Sequence, residues 1–149
     1  MMRELIIKLE PEHKDFCFTE LIKIINSKDK YKYKSKEEFI KNHKDKLKEI
    51  TEFLVNKKKL PLLVPAKIID FSEKNLADGY WFRDAFYLNT INWNKTERFT
   101  CYALILHETI PGHHMQLSYE LHNDSNSLLL FWYNFLTNGF AEGWALFSE

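Results

Sequence analysis

Several classes of protein are excluded by what this sequence lacks. It has only two cysteines, Cys17 and Cys101, which lie far apart with no CxxC pair, so neither a disulfide scaffold nor a cysteine-based metal site is indicated. We expect both to be buried free thiols. No segment approaches the roughly 18 consecutive apolar residues that a membrane-spanning helix needs, and the charged N-terminus does not resemble a signal peptide. We therefore expect a cytoplasmic protein without a membrane partner.

The chain also lacks an excess of either charge, because 21 lysines and arginines balance 21 aspartates and glutamates. Such a balance gives no overall field that attracts nucleic acid. Lysines are concentrated in residues 28–59, but acidic residues are interspersed with them, as on a solvated helix face. A nucleic-acid-binding alternative for this segment lacks the aromatic and basic motif that would accompany it. We expect no nucleic-acid partner.

The composition that remains is that of a globular domain, with 45% hydrophobic and 28% charged residues in 149. We predict one domain over residues 1–149, with residues 1–30 as an N-terminal extension. The fold class is mainly α with a small β-sheet (α+β). The predicted helices are 12–26, 35–56, 97–108, 115–121, 128–137 and the segment after Ala141, and the predicted strands are 3–9, 66–71 and 80–90.

Two of these helices have clear beginnings. Ser35 with Glu38 three residues later has the form of a capping box. Thr96 is a predicted N-cap for the helix 97–108, which is apolar on nearly every side and is therefore expected to be buried.

The strongest chemical signal is the segment HETIPGHH, from His107 to His114. A His-Glu pair followed by further histidines is typical of zinc hydrolases. The usual second ligand lies four positions after the first, where this chain has Pro111, and His113 and His114 follow later. Because proline breaks a helix and Gly112 tolerates unusual backbone angles, we expect a bulge or kink that returns one of these histidines to the side of His107.

We predict that His107, His113 and Glu142 bind a metal ion and that Glu108 is the general base. Two imidazoles, one carboxylate and an open position are typical of catalytic Zn²⁺, although iron, cobalt or manganese also accept such ligands. His114 is an alternative second ligand, or it orients a ligand or stabilises an oxyanion.

A purely structural role is the competing interpretation of these residues. Burying several ionisable side chains together is costly unless they are paired or bound to metal, which favours a metal site. The remaining histidines, His13, His43 and His122, lie in polar segments, and we expect them at the surface.

The segments HETIPGHHMQ at 107–116 and AEGWALFSE at 141–149 resemble the bacterial domain-of-unknown-function 885 family (DUF885). The resemblance implies a zinc metallopeptidase of the gluzincin type. The resemblance covers roughly residues 30–149. It implies a zincin-like core that hydrolyses peptide substrates with Zn²⁺. It also favours His113 over His114 as the second ligand, and it implies that Gln116 bonds to a ligand or to substrate.

Two differences from the family affect the expected function. The family usually has tyrosine where this chain has Phe147, and its members are far longer, which implies a truncated catalytic domain. We expect a zinc-dependent metallopeptidase or, alternatively, an inactive remnant or a zinc-stabilised interaction module that needs a partner chain. An exposed apolar face is expected to support self-association or binding of that partner.

Overall fold

A computed structural model describes residues 2–122, 132, 136 and 138–149. The predicted loop at 123–127 lies outside these residues, as does most of the predicted helix at 128–137. The described chain is mainly helical with one three-stranded sheet, so the α+β prediction is confirmed. Its elements are α1 (Met2–Leu9), α2 (Phe18–Ser27), α3 (Lys36–Thr51), β1 (Lys67–Phe71), β2 (Gly79–Phe82), β3 (Ala85–Asn89), α4 (Thr100–Glu108), α5 (His113–His122) and α6 (Gly139–Ser148).

The N-terminal segment was predicted as a strand, and this prediction was wrong, because residues 2–9 form helix α1. Its buried Ile6 packs against Leu21 and Ile25 of α2. A short segment with loose alternation does not specify a strand unless a neighbouring strand pairs with it, and here the available partner is a helix. The assignment of residues 1–30 as an extension stays a prediction.

Helix α2 is shorter than predicted, because a 3₁₀ turn at Pro11–His13 precedes it. Cys17 lies just before α2, where its backbone N–H donates to Glu20 Oε2 at 2.8 Å. Cys17 is exposed, which contradicts the expected buried thiol, whereas Cys101 is buried as expected.

Helix α3 begins as predicted, since Ser35 Oγ accepts a hydrogen bond from the Glu38 backbone at 3.1 Å. Beyond Thr51 the helix continues as a π-helical turn, Glu52–Lys57. Its buried face includes His43, which contradicts the expected surface position. His43 Nδ1 pairs with the Phe39 carbonyl at 2.8 Å, and burial lowers its pKa.

The sheet has the strand order β1-β3-β2, with β1 parallel and β2 antiparallel to β3. The single strand predicted at 80–90 is therefore a hairpin that turns at Arg83 and Asp84. Arg83 has a φ of 53°, the positive value that a tight hairpin turn requires. At the other end of β2, Gly79 makes room for Phe86, since an added Cβ would lie 2.4 Å from the Phe86 ring. Both β1 and β2 are edge strands of the described sheet.

Helix α4 starts at Thr100, three residues later than predicted. The backbone N–H of Arg98 donates to the Tyr31 carbonyl at 2.7 Å, and this contact with a distant segment holds residues 97–98 outside the helix. Thr96 Oγ1 donates to the Asn92 carbonyl instead of capping α4. The predicted all-round burial of this helix was also wrong: its buried residues are Cys101, Ile105 and Glu108. In the described part of the chain, no helix combines the length and apolarity that crossing a membrane requires.

Candidate metal centre

The loop between α4 and α5 brings His113 beside His107. After α4 ends at Glu108, the backbone N–H of Gly112 donates to the Leu106 carbonyl at 3.0 Å. A Cβ added at Gly112 would lie 1.9 Å from the His107 carbonyl oxygen, so only glycine fits this approach. Its φ is not positive, which corrects the expected reason for this glycine: it is needed for space and not for an unusual backbone angle. The expected kink is thus a tight loop between two helices.

Three predicted ligands meet beside this loop. The rings of His107 and His113 have centroids 4.8 Å apart and are nearly perpendicular. His107 Nε2 lies 3.4 Å from Glu142 Oε2, and His113 Nε2 lies 3.6 Å from Glu142 Oε1. Ligand atoms at zinc-bond lengths of about 2.0–2.1 Å around a tetrahedral ion lie roughly 3.4 Å apart. The donor types and their spacing therefore fit a zinc ion.

Helix α6 places Glu142 against the histidines. Its buried side chains, Ala141 and Ala145, are small and lie on the face that also carries Glu142, which allows a close approach to α4 and α5. Trp144 Nε1 donates to the Pro111 carbonyl at 2.7 Å, which ties α6 directly to the loop. Sequence reasoning missed this role for Trp144, although the tryptophan stands within the EGWAL motif.

Glu108, the predicted general base, is buried at the cleft that borders the histidines. Burial raises the pKa of its carboxyl to about 7, and the negative charge of Glu142 adds to this effect, while His107 and the Trp81 backbone oppose it. Among the described residues, Glu108 Oε2 has no hydrogen-bond partner. A carboxylate in this position is available to take a proton from a group in the cleft.

The two other candidate residues, His114 and Gln116, form hydrogen bonds with other protein groups. His114 is fully buried, with Nε2 2.7 Å from the Val64 carbonyl and Nδ1 accepting from Trp81 Nε1 at 3.2 Å. Both ring nitrogens therefore have protein partners, and burial lowers the pKa of the ring. Gln116 Nε2 donates to Glu120 Oε1 at 3.0 Å. Neither residue belongs to the group of converging ligand atoms.

A cleft of about 880 Å³ opens beside the three ligands. Strand β2 and the hairpin turn line one side, and Leu117, Leu121 and Ala141 contribute an apolar surface. Phe147 is not among the cleft residues that the structure describes, and its side chain is 84% exposed. The missing tyrosine hydroxyl would therefore not lie in this part of the cleft.

A second acidic group, Glu10 with Glu12 and His13, has the residue types of a metal site. The buried Glu10 carboxylate is already paired with Lys28 and accepts from Tyr31 Oη at 2.8 Å. These bonds hold the pKa of Glu10 far below its usual value. The group is accounted for as an ion-pair network that joins α1 to the segment after α2.

Comparison with known proteins places the chain in a family. The family described as "Bacterial protein of unknown function (DUF885)" matches residues 1–149. The chain belongs to this family. The match extends beyond the residues 30–149 over which the resemblance was recognised, and no significant match to a curated protein was found.

A solved structure from Colwellia psychrerythraea, described as a "putative lipoprotein", has the same fold, with a TM-score of 0.82 and 19% sequence identity. The match covers 99% of this DUF885 chain and 27% of the Colwellia chain. At this level of identity the likeness shows the fold alone.

Proposed function

We propose that this DUF885 protein is a zinc-dependent metallopeptidase of the gluzincin type, built on a zincin-like core. The observation that carries the proposal is the convergence of His107, His113 and Glu142, whose ligand atoms all lie within 4.8 Å of one another, next to the buried carboxylate of Glu108. In the described residues, this group lies at the cleft with room for a substrate.

Each of these residues then has a chemical role. His107 and His113 would hold the ion through their Nε2 atoms, and Glu142 through its carboxylate. Zinc supplies Lewis acidity, which acidifies water and polarises the carbonyl of the scissile bond. Glu108 accepts a proton from the attacking water and returns it to the leaving amine. Its raised pKa suits a group that exchanges protons near neutral pH.

The cleft supports a peptide as the substrate. Strand β2 borders it and, among the described strands, is paired only with β3. The free edge of a strand can pair with an extended peptide through main-chain hydrogen bonds. Tyr80, Trp81 and Phe82 add aromatic surface along the same strand. An extended peptide in this position would pass the three ligands and Glu108.

One observation favours a different function. Phe140, Leu146 and Phe147 expose 59%, 62% and 84% of their surface on α6, and an apolar surface of this kind is typical of an interface. The alternative is an inactive remnant, or a zinc-stabilised module that needs a partner chain. A monomer in light scattering that also hydrolyses peptides would contradict this alternative.

The location of the protein remains a proposal as well. Two cysteines without a disulfide pattern favour the cytoplasm, whereas the Colwellia structure is described as a "putative lipoprotein". Cell fractionation with an antibody against the chain would decide between a cytoplasmic and a membrane-associated protein.

The Glu108→Gln variant tests the proposed mechanism most sharply. Gln keeps the size of the side chain but cannot take a proton, so hydrolysis of a mixed fluorogenic peptide library should fall at least a hundredfold while bound zinc stays at the wild-type level. The matched control is Glu142→Gln, which should lose zinc and activity together. Wild-type activity in Glu108→Gln would overturn the mechanism.

A further inference from the structure

The His107 ring has a carboxylate beside each of its nitrogens. Glu142 Oε2 lies 3.4 Å from Nε2, and Glu149 Oε1 lies 2.8 Å from Nδ1. The second distance is that of a good hydrogen bond, whereas the first is longer than one. Glu149 therefore accepts a hydrogen bond from the Nδ1–H of His107, and the Nε2 lone pair is left facing Glu142 and His113.

The spacing along α6 makes this arrangement possible. Glu142 lies in the first turn of α6, and Glu149 directly follows its last residue, Ser148, as the C-cap. The two are seven residues apart, which is nearly two helical turns, so both lie on the same side of the helix, about 10.5 Å apart along its axis. Ala145 lies between them on that face and is fully buried. Helix α6 and the residue that ends it can thus place a carboxylate on each side of a single imidazole ring.

The second histidine lacks this support. His113 Nδ1 is buried and has no hydrogen-bond partner among the described residues. The two proposed ligands therefore differ: in the described structure, a carboxylate orients His107 and packing alone orients His113.

We propose that Glu149 is a positioning residue for the metal centre: it holds His107 in the tautomer whose Nε2 binds the metal, and it turns the ring toward Glu142. Histidine ligands commonly donate their second ring N–H to a carboxylate, and the loss of such a partner typically weakens metal binding 10- to 100-fold. This inference rests on the proposed zinc site and adds to it a residue to which the sequence analysis assigned no role.

The test measures zinc affinity by competition with a chromophoric chelator. Glu149→Ala should raise the dissociation constant about 10- to 100-fold. Glu149→Gln should give a smaller increase, because the amide oxygen still accepts a hydrogen bond but carries no charge. Glu73→Gln, at an exposed carboxylate in the β1–β2 loop, is the matched control and should leave the affinity unchanged.

A second readout reports the tautomer directly. In metal-free protein at about pH 9, the side-chain ¹⁵N shifts of His107 should show a proton on Nδ1 in the wild type. In Glu149→Ala the form with a proton on Nε2 should become populated. A merely structural role for Glu149 would not produce this change.

The zinc affinity and the His107 tautomer together distinguish a failure of the Glu149 proposal from a failure of the proposed zinc site. A wild-type tautomer together with an affinity within twofold of wild type in Glu149→Ala would overturn the role of Glu149. A wild-type protein that binds no zinc would overturn the proposed function instead, and the tautomer in metal-free protein would still decide whether Glu149 orients His107.

Discussion

The indole of Trp144 donates a hydrogen bond to the carbonyl of Pro111 at 2.7 Å. This contact joins the two motifs of the chain, since Pro111 lies between the histidine ligands and Trp144 lies two residues after the carboxylate ligand. The position of Glu142 relative to His107 therefore depends on a bond that involves none of the proposed ligands.

Replacing Trp144 by Phe removes this donor but keeps an aromatic ring. We expect a loss of about 1 kcal/mol in the free energy of unfolding and weaker zinc binding, because α6 is no longer tied to the loop. Urea unfolding and zinc titration would measure the two effects. Leu146→Met, on the exposed side of the same helix, should change neither, and a Trp144→Phe variant with wild-type zinc affinity would contradict the proposed coupling.

Gly112 provides a sharper test of the loop. Gly112→Ala places a Cβ where the His107 carbonyl oxygen would be 1.9 Å away, so either the loop or α4 must move. We expect a destabilisation of more than about 2 kcal/mol, with loss of zinc binding. Gly143→Ala is the matched control, because an added Cβ there has open space and alanine favours a helix by about 1 kcal/mol. Equal stabilities for the two variants would show that the close approach at Gly112 is absent.

The burial of Glu108 predicts a pH-dependent cost to stability. Its pKa is about 7 in the folded chain against an ordinary 4.5, so the unfolded chain loses this proton first as the pH rises. The free energy of unfolding should therefore fall as the pH rises from about 4.5 to 7, by roughly 3 kcal/mol for this group. Below that range the cost disappears.

Metal-free Glu108→Gln should lack this component. Urea unfolding in the presence of a chelator, at about pH 5 and about pH 8, would show a smaller decrease in stability for the variant than for the wild type. The other carboxylates are common to both proteins and cancel in the comparison. If the stabilities of the two proteins depended on pH in the same way, burial would not raise the pKa of Glu108.

The choice between the two adjacent histidines can be tested directly. His113→Ala should abolish zinc binding, because it removes a nitrogen that faces Glu142. His114→Ala should lower stability, since it removes the partners of Val64 and Trp81, but a folded preparation should still bind one zinc ion. The reverse result would assign the ligand to His114.

The parts of the fold that were predicted correctly have local causes. Helix α3 follows from the Ser35 capping box, and β1 follows from a short apolar run after prolines. The hairpin at Arg83 was missed because the aromatic residues on both sides read as one strand. The late start of α4 was missed because the Arg98 bond to Tyr31 joins residues that are distant in the sequence.

In the candidate site, too, the features with local causes were predicted and those that depend on distant contacts were missed. His107, Glu108 and His113 belong to one motif, so their types and order could be read along the chain. The roles of Trp144 and Glu149 depend on where α6 lies against α4, which no local pattern specifies. Gly112 was identified, but its reason, the close approach of the loop to the backbone at the end of α4, required the structure.

The central claim is that His107, His113 and Glu142 bind zinc. The most direct test is the metal content of the purified protein by mass spectrometry, compared with a His107→Ala variant. About one zinc per chain in the wild type, lost in the variant, is the predicted result. An absence of bound metal in the wild type, even after zinc is supplied, would contradict the account and favour the inactive remnant.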